Sequence, residues 1–259
     1  MNDLLQLVSF FDTTSLCEMN RAKLLNRVDT KYVVSPAVLI NALAQHVDEY
    51  EVLSINDKMS LAYSTIYFDT DDLAMYKEHH NGRTHRYKVR YRQYQETGDR
   101  FLEVKEKVKN RTVKHRLRVD NFTYPITQRL ASLVKDCTPY EACDLEPKMT
   151  TDFNRITLIN KQACERITID LNIRFSNDQD KTYSLGNCAI VEIKRDKEGV
   201  YSPLARSLKS EGVLPLSVSK YCLGTIALNN KVKYNRFKPR LRVVEGVMER
   251  AGNQLAMVV

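Results

Sequence analysis

Between residues 86 and 92 the chain alternates charged and apolar side chains. On an extended strand, Arg86, Lys88, Arg90 and Arg92 therefore project to one side and Tyr87, Val89 and Tyr91 to the other. The same two-residue period recurs. Arg27, Asp29 and Lys31 oppose Val28 and Tyr32; Glu103, Lys105 and Lys107 oppose Leu102 and Val104; Lys114, Arg116 and Arg118 oppose Val113, Leu117 and Val119. Further on, Arg155 and Thr157 oppose Ile156 and Leu158, Arg166, Thr168 and Asp170 oppose Ile167, Ile169 and Leu171, and Glu192 and Lys194 oppose Val191 and Ile193. A half-buried antiparallel sheet accounts for one polar face per strand. It does not account for a face that is mainly cationic with acids set among the cations.

Helical patterning interrupts the strands. Ser35 and Pro36 precede Val38, Leu39, Leu43 and Val47, the signature of a helix with a serine N-cap and proline at its first position. Residues 61–68 read as a strand, 73–80 as a short helix stopped by Asn81-Gly82, and Gly98-Asp99 as the turn joining the basic strand to 101–107. Pro125 is expected to open a helix through Val134, and Ser202-Pro203 one that runs to about Lys209 and stops at Gly212. Residues 3–25, with Leu4, Leu5, Val8, Phe11, Leu16, Leu24 and Leu25 loosely at helical spacing, predict a lid or flank broken near Asp12. Lys231, Lys233, Arg236, Lys238, Arg240 and Arg242 predict a solvated basic tail. The expected division is a helical flank over 1–25, one central domain over 26–228 and a basic extension over 229–259.

Composition changes this picture in one respect. With 259 residues and 43% hydrophobic content the chain can bury a real core, but its formal net charge of +8 asks for a polyanionic partner. Cations crowded on a concave surface repel one another unless a polyanion or interleaved acids compensate. The expected fold is therefore α+β: an antiparallel eight-stranded β-barrel with a charged interior, flanked by helices. Those starting at Pro36, Pro125 and Pro203 would cover Val89, Val104, Val113, Ile167 and Ile193. Nucleic acid is disfavoured, because Tyr87 and Tyr91 lie on the face opposite the arginines and Glu103 and Glu192 would repel a nucleic-acid backbone. The six cysteines show no C-x-x-C spacing, no apolar run approaches the ~20 residues of a membrane span, and the first residues lack a signal sequence. A soluble, cytoplasmic protein is expected. His79, His80, His85 and His115 have no metal-ligand spacing, and Asp69 reads as a turn cap.

Several strings, taken in order, resemble a known family. They are Arg27-Val28-Asp29-Thr30-Lys31-Tyr32, Tyr67-Phe68-Asp69-Thr70, Lys88-Val89-Arg90-Tyr91-Arg92, Leu102-Glu103-Val104-Lys105, Val113-Lys114-His115-Arg116, Val191-Glu192-Ile193-Lys194 and Ser219-Lys220-Tyr221. Their order is similar to that in the VTC domain of polyphosphate polymerases, a member of the CYTH-like triphosphate tunnel metalloenzymes, over residues 20–228. The resemblance implies an eight-stranded tunnel in which Lys31, Arg90, Arg92, Lys105, Lys114 and Arg155 act on the reacting phosphates. Arg166, Ser219 and Lys220 would bind phosphate, and Arg27, Arg116 and Lys194 on the same faces would add to them. Glu192 would hold Mn²⁺ or Mg²⁺. Glu103 is a second candidate ligand, with an ion pair to Lys105 or Arg92 as its alternative role. Two departures stand out: Phe153 where the polymerases tend to have tyrosine, and Ser217 where a lysine is frequent.

The implied activity is transfer of the γ-phosphoryl group of a nucleoside triphosphate to a polyphosphate chain. A triphosphatase, or a non-catalytic module binding polyphosphate or inositol phosphate, is the alternative. The residue types suit such chemistry on their own terms, since phosphoryl transfer asks mainly for positioning and charge neutralisation. Arginine forks grip phosphate at two points and lysines act as point charges, so the mixture fits several phosphates in a row. A hard divalent ion prefers carboxylate and substrate oxygens. A membrane-protein partner is compatible with the chain, although no span is expected in it.

Overall fold

The computed structural model describes residues 2–19, 27–109, 111–197 and 202–252. In chain order its elements are α1 (Asn2–Val8), β1 (Asp12–Thr14), α2 (Leu16–Met19), β2 (Arg27–Val34), α3 (Pro36–Ala44), β3 (Tyr50–Leu53), β4 (Leu61–Asp69) and α4 (Ala74–Asn81). They continue with β5 (His85–Tyr94), β6 (Arg100–Val108), β7 (Arg111–Val119), α5 (Gln128–Cys137), β8 (Glu146–Asn160), β9 (Glu165–Ser176), β10 (Thr182–Ser184) and β11 (Ala189–Asp196). Three helices follow: α6 (Pro203–Ser210), α7 (Lys220–Leu228) and α8 (Lys238–Arg250).

Eight strands form one antiparallel path in the order β2-β11-β9-β8-β4-β5-β6-β7, with short β1, β3 and β10 attached at its margins. The path curls into a half-barrel. Its end strands, β2 and β7, are not paired with each other among the described residues.

Alternation puts the apolar residues of these strands on the convex side, under the helices. Tyr32, Val191, Ile193, Ile167, Ile169, Ile156 and Leu158 are buried with Leu4, Leu39, Leu43, Leu204 and Leu208 of α1, α3 and α6. Val89, Val104, Tyr87, Tyr91 and Leu102 are buried with Val134 of α5 and Met75 of α4. Val113 is not covered, in contrast to the expectation for it, and is 37% exposed. It lies on the terminal strand, beyond the cluster that α5 closes over β5 and β6.

The capping signals act as their residue types require. Ser35 Oγ accepts the Val38 N–H at 3.4 Å at the start of α3, and Ser202 Oγ accepts that of Ala205 at 3.2 Å at the start of α6. Gly82 ends α4 with φ +71° and Gly212 follows α6 with φ +76°, a backbone region that costs glycine nothing. Helix α5 starts later than expected: Thr127 is still extended and the helix begins at Gln128, so Pro125 lies in the preceding loop.

The tail also differs from expectation. Within α8, Leu241, Val244, Val247 and Met248 are buried against the sheet and α7, so Lys238, Arg240 and Arg242 ride on a packed helix rather than on a solvated extension, while Lys231, Lys233 and Arg236 precede it. The flank is likewise integral, since β1 pairs in parallel with β3 and Phe11 is buried. Leu24 and Leu25 lie outside the described residues.

At Asn172, with φ +52°, the facing of β9 inverts. Before it Ile169 and Leu171 lie under the outer helices; after it Ile173 and Phe175 pack with Tyr221 and Cys222 of α7. The register with β8 shifts between Asp152 and Asn154, and Asn172 donates to Asn154 at 3.1 Å. This bulge makes room for the N-terminus of α7 on the concave side.

Candidate functional site: a cationic channel

Ladder register arranges the concave side chains in rows. Lys88, Lys105 and Lys114 stand side by side across β5, β6 and β7, with Arg90, Glu103 and Arg116 in the next row. Facing them, Lys31, Glu192, Thr168 and Thr157 form a row across β2, β11, β9 and β8. It is flanked by Asp29, Lys194 and Arg166 on one side and by Asp170 and Arg155 on the other. The N-terminus of α7 adds Ser219 and Lys220. Ser219 Oγ accepts the Cys222 N–H at 3.3 Å and the Lys88 ammonium at 3.0 Å.

These walls enclose a cavity of about 600 Å³. Among the described residues it is lined by twelve cationic side chains and five carboxylates, so the charge asymmetry of the sequence is concentrated here. Arg27, Lys31, Arg90, Arg92, Lys105, Lys114, Arg116, Arg155, Arg166, Lys194, Ser219, Lys220 and Glu192 all reach it. Glu103 lies beneath the lining, with no exposed surface. A second cavity of about 790 Å³ shares Lys31, Lys88, Lys105, Glu192 and Ser219 with the first and continues past Arg86, Lys107, Arg236 and Arg240. The two meet at a waist around Glu192.

The carboxylates lie beside cations. Asp170 receives Arg155 at both oxygens, Nε to Oδ1 at 2.6 Å and Nη2 to Oδ2 at 2.8 Å, and also Lys220. Glu103 takes Arg90 on one oxygen, at 2.5 and 2.9 Å, and Lys114 on the other at 3.2 Å. The ion pair considered for Glu103 therefore forms, but with Arg90 and Lys114 rather than with Lys105 or Arg92. Glu192 is bonded to Lys194 and lies 3.6 Å from Lys31.

Excess positive potential shows in the protonation equilibria. Burial pushes the Lys88 ammonium down to about 8. Arg90 beside it, together with burial and Arg92, holds Lys105 well below the usual lysine range. Against burial, which would raise it, Arg90, Arg92 and Lys88 draw the Tyr67 phenol down to about 8. Burial would also raise Glu192, but Lys194 and Lys31 hold it well below the carboxylate range, so it stays ionised.

Glu192 lines both cavities, as does Asp29, and could offer a carboxylate to a hard divalent ion there, whereas Glu103 has no exposed surface and lines neither cavity. No group of three or more His, Cys, Asp or Glu able to hold an ion occurs among the described residues. An ion at Glu192 would complete its shell with phosphate and water oxygens.

Alternation did not point to the aromatic side of the channel. Tyr63 and Tyr67 on β4 face inward among the arginines: Arg90 donates to the Tyr67 hydroxyl at 3.2 Å, and the Arg155 guanidinium lies 5.0 Å from the Tyr63 ring centre. Phe153 stacks on Tyr63 at 5.2 Å, with the Lys220 ammonium 4.7 Å from its own ring centre. Asp69 is a cap, as its sequence context suggests: it accepts the N–H groups of Thr70, Met75 and Tyr76 at 2.8–2.9 Å and the Tyr221 hydroxyl.

A curled antiparallel sheet with helices outside and a cation-lined channel inside defines a triphosphate tunnel protein. The sequence profile of the VTC domain matches residues 26–229, and the chain belongs to that family. Among solved structures it is similar to a Hippeastrum protein described as a candidate adenylyl cyclase with a dominant triphosphatase activity. That similarity has a TM-score of 0.51 and 11% identity and covers 81% of this chain and 100% of that one. A candidate adenylate cyclase from Vibrio parahaemolyticus gives 0.46 at 15% identity, covering 78% of this chain and 99% of that one. No curated protein matches the chain. None of the helices among the described residues is long and apolar enough to cross a membrane.

Proposed function

We propose that the chain is a polyphosphate polymerase-like phosphotransferase, moving the γ-phosphoryl group of a nucleoside triphosphate onto a polyphosphate chain held in the channel. The observation that carries this is the continuity of positive charge through the waist: beyond Glu192 the lining adds Arg86, Lys107, Arg236 and Arg240. A single triphosphate would leave many of these cations as uncompensated like charges. A longer polyanion neutralises both cavities.

In this reading Arg90, Arg92, Arg155 and Lys220 grip the donor's phosphates, and Lys31, Lys88, Lys105 and Lys114 surround the waist where the transferred group sits. Asp170 and Glu103 orient the arginines and lysines, so the groups that stabilise developing charge are fixed before substrate arrives. The acceptor phosphate approaches in line from the second cavity, displacing water from the position of attack. A Mn²⁺ or Mg²⁺ ion bound by Glu192 and substrate oxygens would neutralise charge on the transferred group.

The test is incubation of purified protein with ATP and Mn²⁺, with and without short polyphosphate, resolving the products by phosphorus NMR. Chains longer than the primer are expected. Orthophosphate alone, at a rate indifferent to primer, would identify a triphosphatase; no ATP consumption with any divalent ion would identify a binding module.

A further inference from the structure

The two ends of the channel differ chemically. The second cavity runs out beside Arg236 and Arg240, whereas the first runs out among Ile55, Tyr94 and Phe101. Tyr94 and Phe101 are partly exposed and meet edge to face at 5.9 Å, and Tyr94 packs on Tyr63 at 4.9 Å. Guanidinium groups lie against the same rings. Arg116 is 4.8 Å from the centre of Phe101, and Arg92 and Arg155 are 5.8 and 5.0 Å from that of Tyr63. A ligand with its phosphates on these arginines has its other end against the rings.

We propose that this aromatic mouth takes the base of the nucleoside triphosphate. The nucleotide then lies with its base at Tyr94 and Phe101 and its γ-phosphate toward the waist, and the acceptor enters from the opposite end. This rests on reading the channel as a triphosphate site.

The mouth reads a base by stacking, not by its edge. Its carboxylates are engaged: Glu96 accepts the Ala62 N–H at 3.1 and 3.0 Å, and Asp99 holds Arg118 at 2.6 Å. Every base has a π-face, so stacking does not discriminate among bases, whereas discrimination requires hydrogen-bonding groups built for one edge. ATP and GTP are therefore accepted alike.

Calorimetric titration of the wild type and Tyr94→Ala with ATP, GTP and tripolyphosphate tests this. ATP and GTP should bind the wild type within about threefold of each other, and Tyr94→Ala should weaken both about tenfold while leaving tripolyphosphate unchanged. Tyr94→Phe should retain wild-type affinity. Unchanged tripolyphosphate binding also reports an intact fold. A parallel loss of ATP and tripolyphosphate affinity in both variants, or no loss of ATP affinity in Tyr94→Ala, overturns the base site alone. Failure of the wild type to bind tripolyphosphate overturns the channel reading and the base site with it.

Discussion

Arg155 on β8 and Asp170 on β9 are cross-strand partners joined by two parallel hydrogen bonds, and Lys220 at the start of α7 closes on the same carboxylate. One acid thus orients two cations at the channel wall. Removing its charge leaves buried like charges adjacent. Asp170→Asn is expected to lower stability by about 3–5 kcal/mol, measured by urea unfolding. Added tripolyphosphate should raise the melting temperature of this variant more than that of the wild type, because the ligand replaces the missing counter-charge.

Glu192→Gln keeps the shape of the waist and removes its carboxylate charge. Mn²⁺-dependent consumption of ATP should fall by at least about a hundredfold, as expected for losing charge stabilisation at a transferred group. Polyphosphate binding should persist, because the cations remain. Full turnover in this variant would reject Glu192 as the metal ligand.

Lys88 and Tyr67, both drawn to about 8, make the channel pH-sensitive. A bound polyanion favours the ammonium and the neutral phenol, so binding takes up protons and affinity falls as pH rises from 7 to 9.5. Stability of the free protein moves the other way. Between about 8 and the ordinary lysine value of 10.5 the unfolded chain holds more protons at Lys88 than the folded one, so this group makes the fold more stable as pH rises across that window. Titrations in buffers of different ionisation enthalpy measure the uptake directly, and proton release on binding would contradict the assignment.

Arg240 lines the second cavity only, with its guanidinium 5.8 Å from the Phe237 ring centre. Arg240→Glu should leave tripolyphosphate affinity near the wild-type value while weakening long-chain polyphosphate by about tenfold and shortening the products made from ATP. Lys114→Ala and Arg155→Ala, in the first cavity, should weaken both ligands and slow elongation. Identical losses for short and long chains in Arg240→Glu would count against a track running through both cavities.

Much of the barrel and its lining was legible because a strand side chain has only two directions. Once Arg86, Lys88, Arg90 and Arg92 are placed on one face, Val89 and Tyr91 must lie on the other, and burial decides which face looks outward. Facing alone could not give the carboxylate pairings. That Glu103 joins Arg90 and Lys114, and Asp170 joins Arg155 and Lys220, depends on register between strands distant in sequence. Tyr63 and Tyr67 escaped notice because β4 carries no charged residue between Leu61 and Phe68 to mark its inner face. The stretch from Lys231 to Arg242 read as solvated because its six cations dominate it and only Leu241 of the buried face of α8 falls within it; the face that Leu241 shares with Val244, Val247 and Met248 becomes evident only when the rest of the core is in place.

That β2 and β7 do not pair with each other among the described residues has a topological consequence. A polymer inside a ring closed by backbone hydrogen bonds can be reached only by its ends, so capture slows as chains lengthen and ends become scarce. Here no such ladder joins β2 to β7 among the described residues; the Leu216 N–H instead bonds the Lys31 carbonyl at 2.7 Å, so the connection before α7 lies along the β2 edge, and a lateral way in for a long chain requires that connection to move aside.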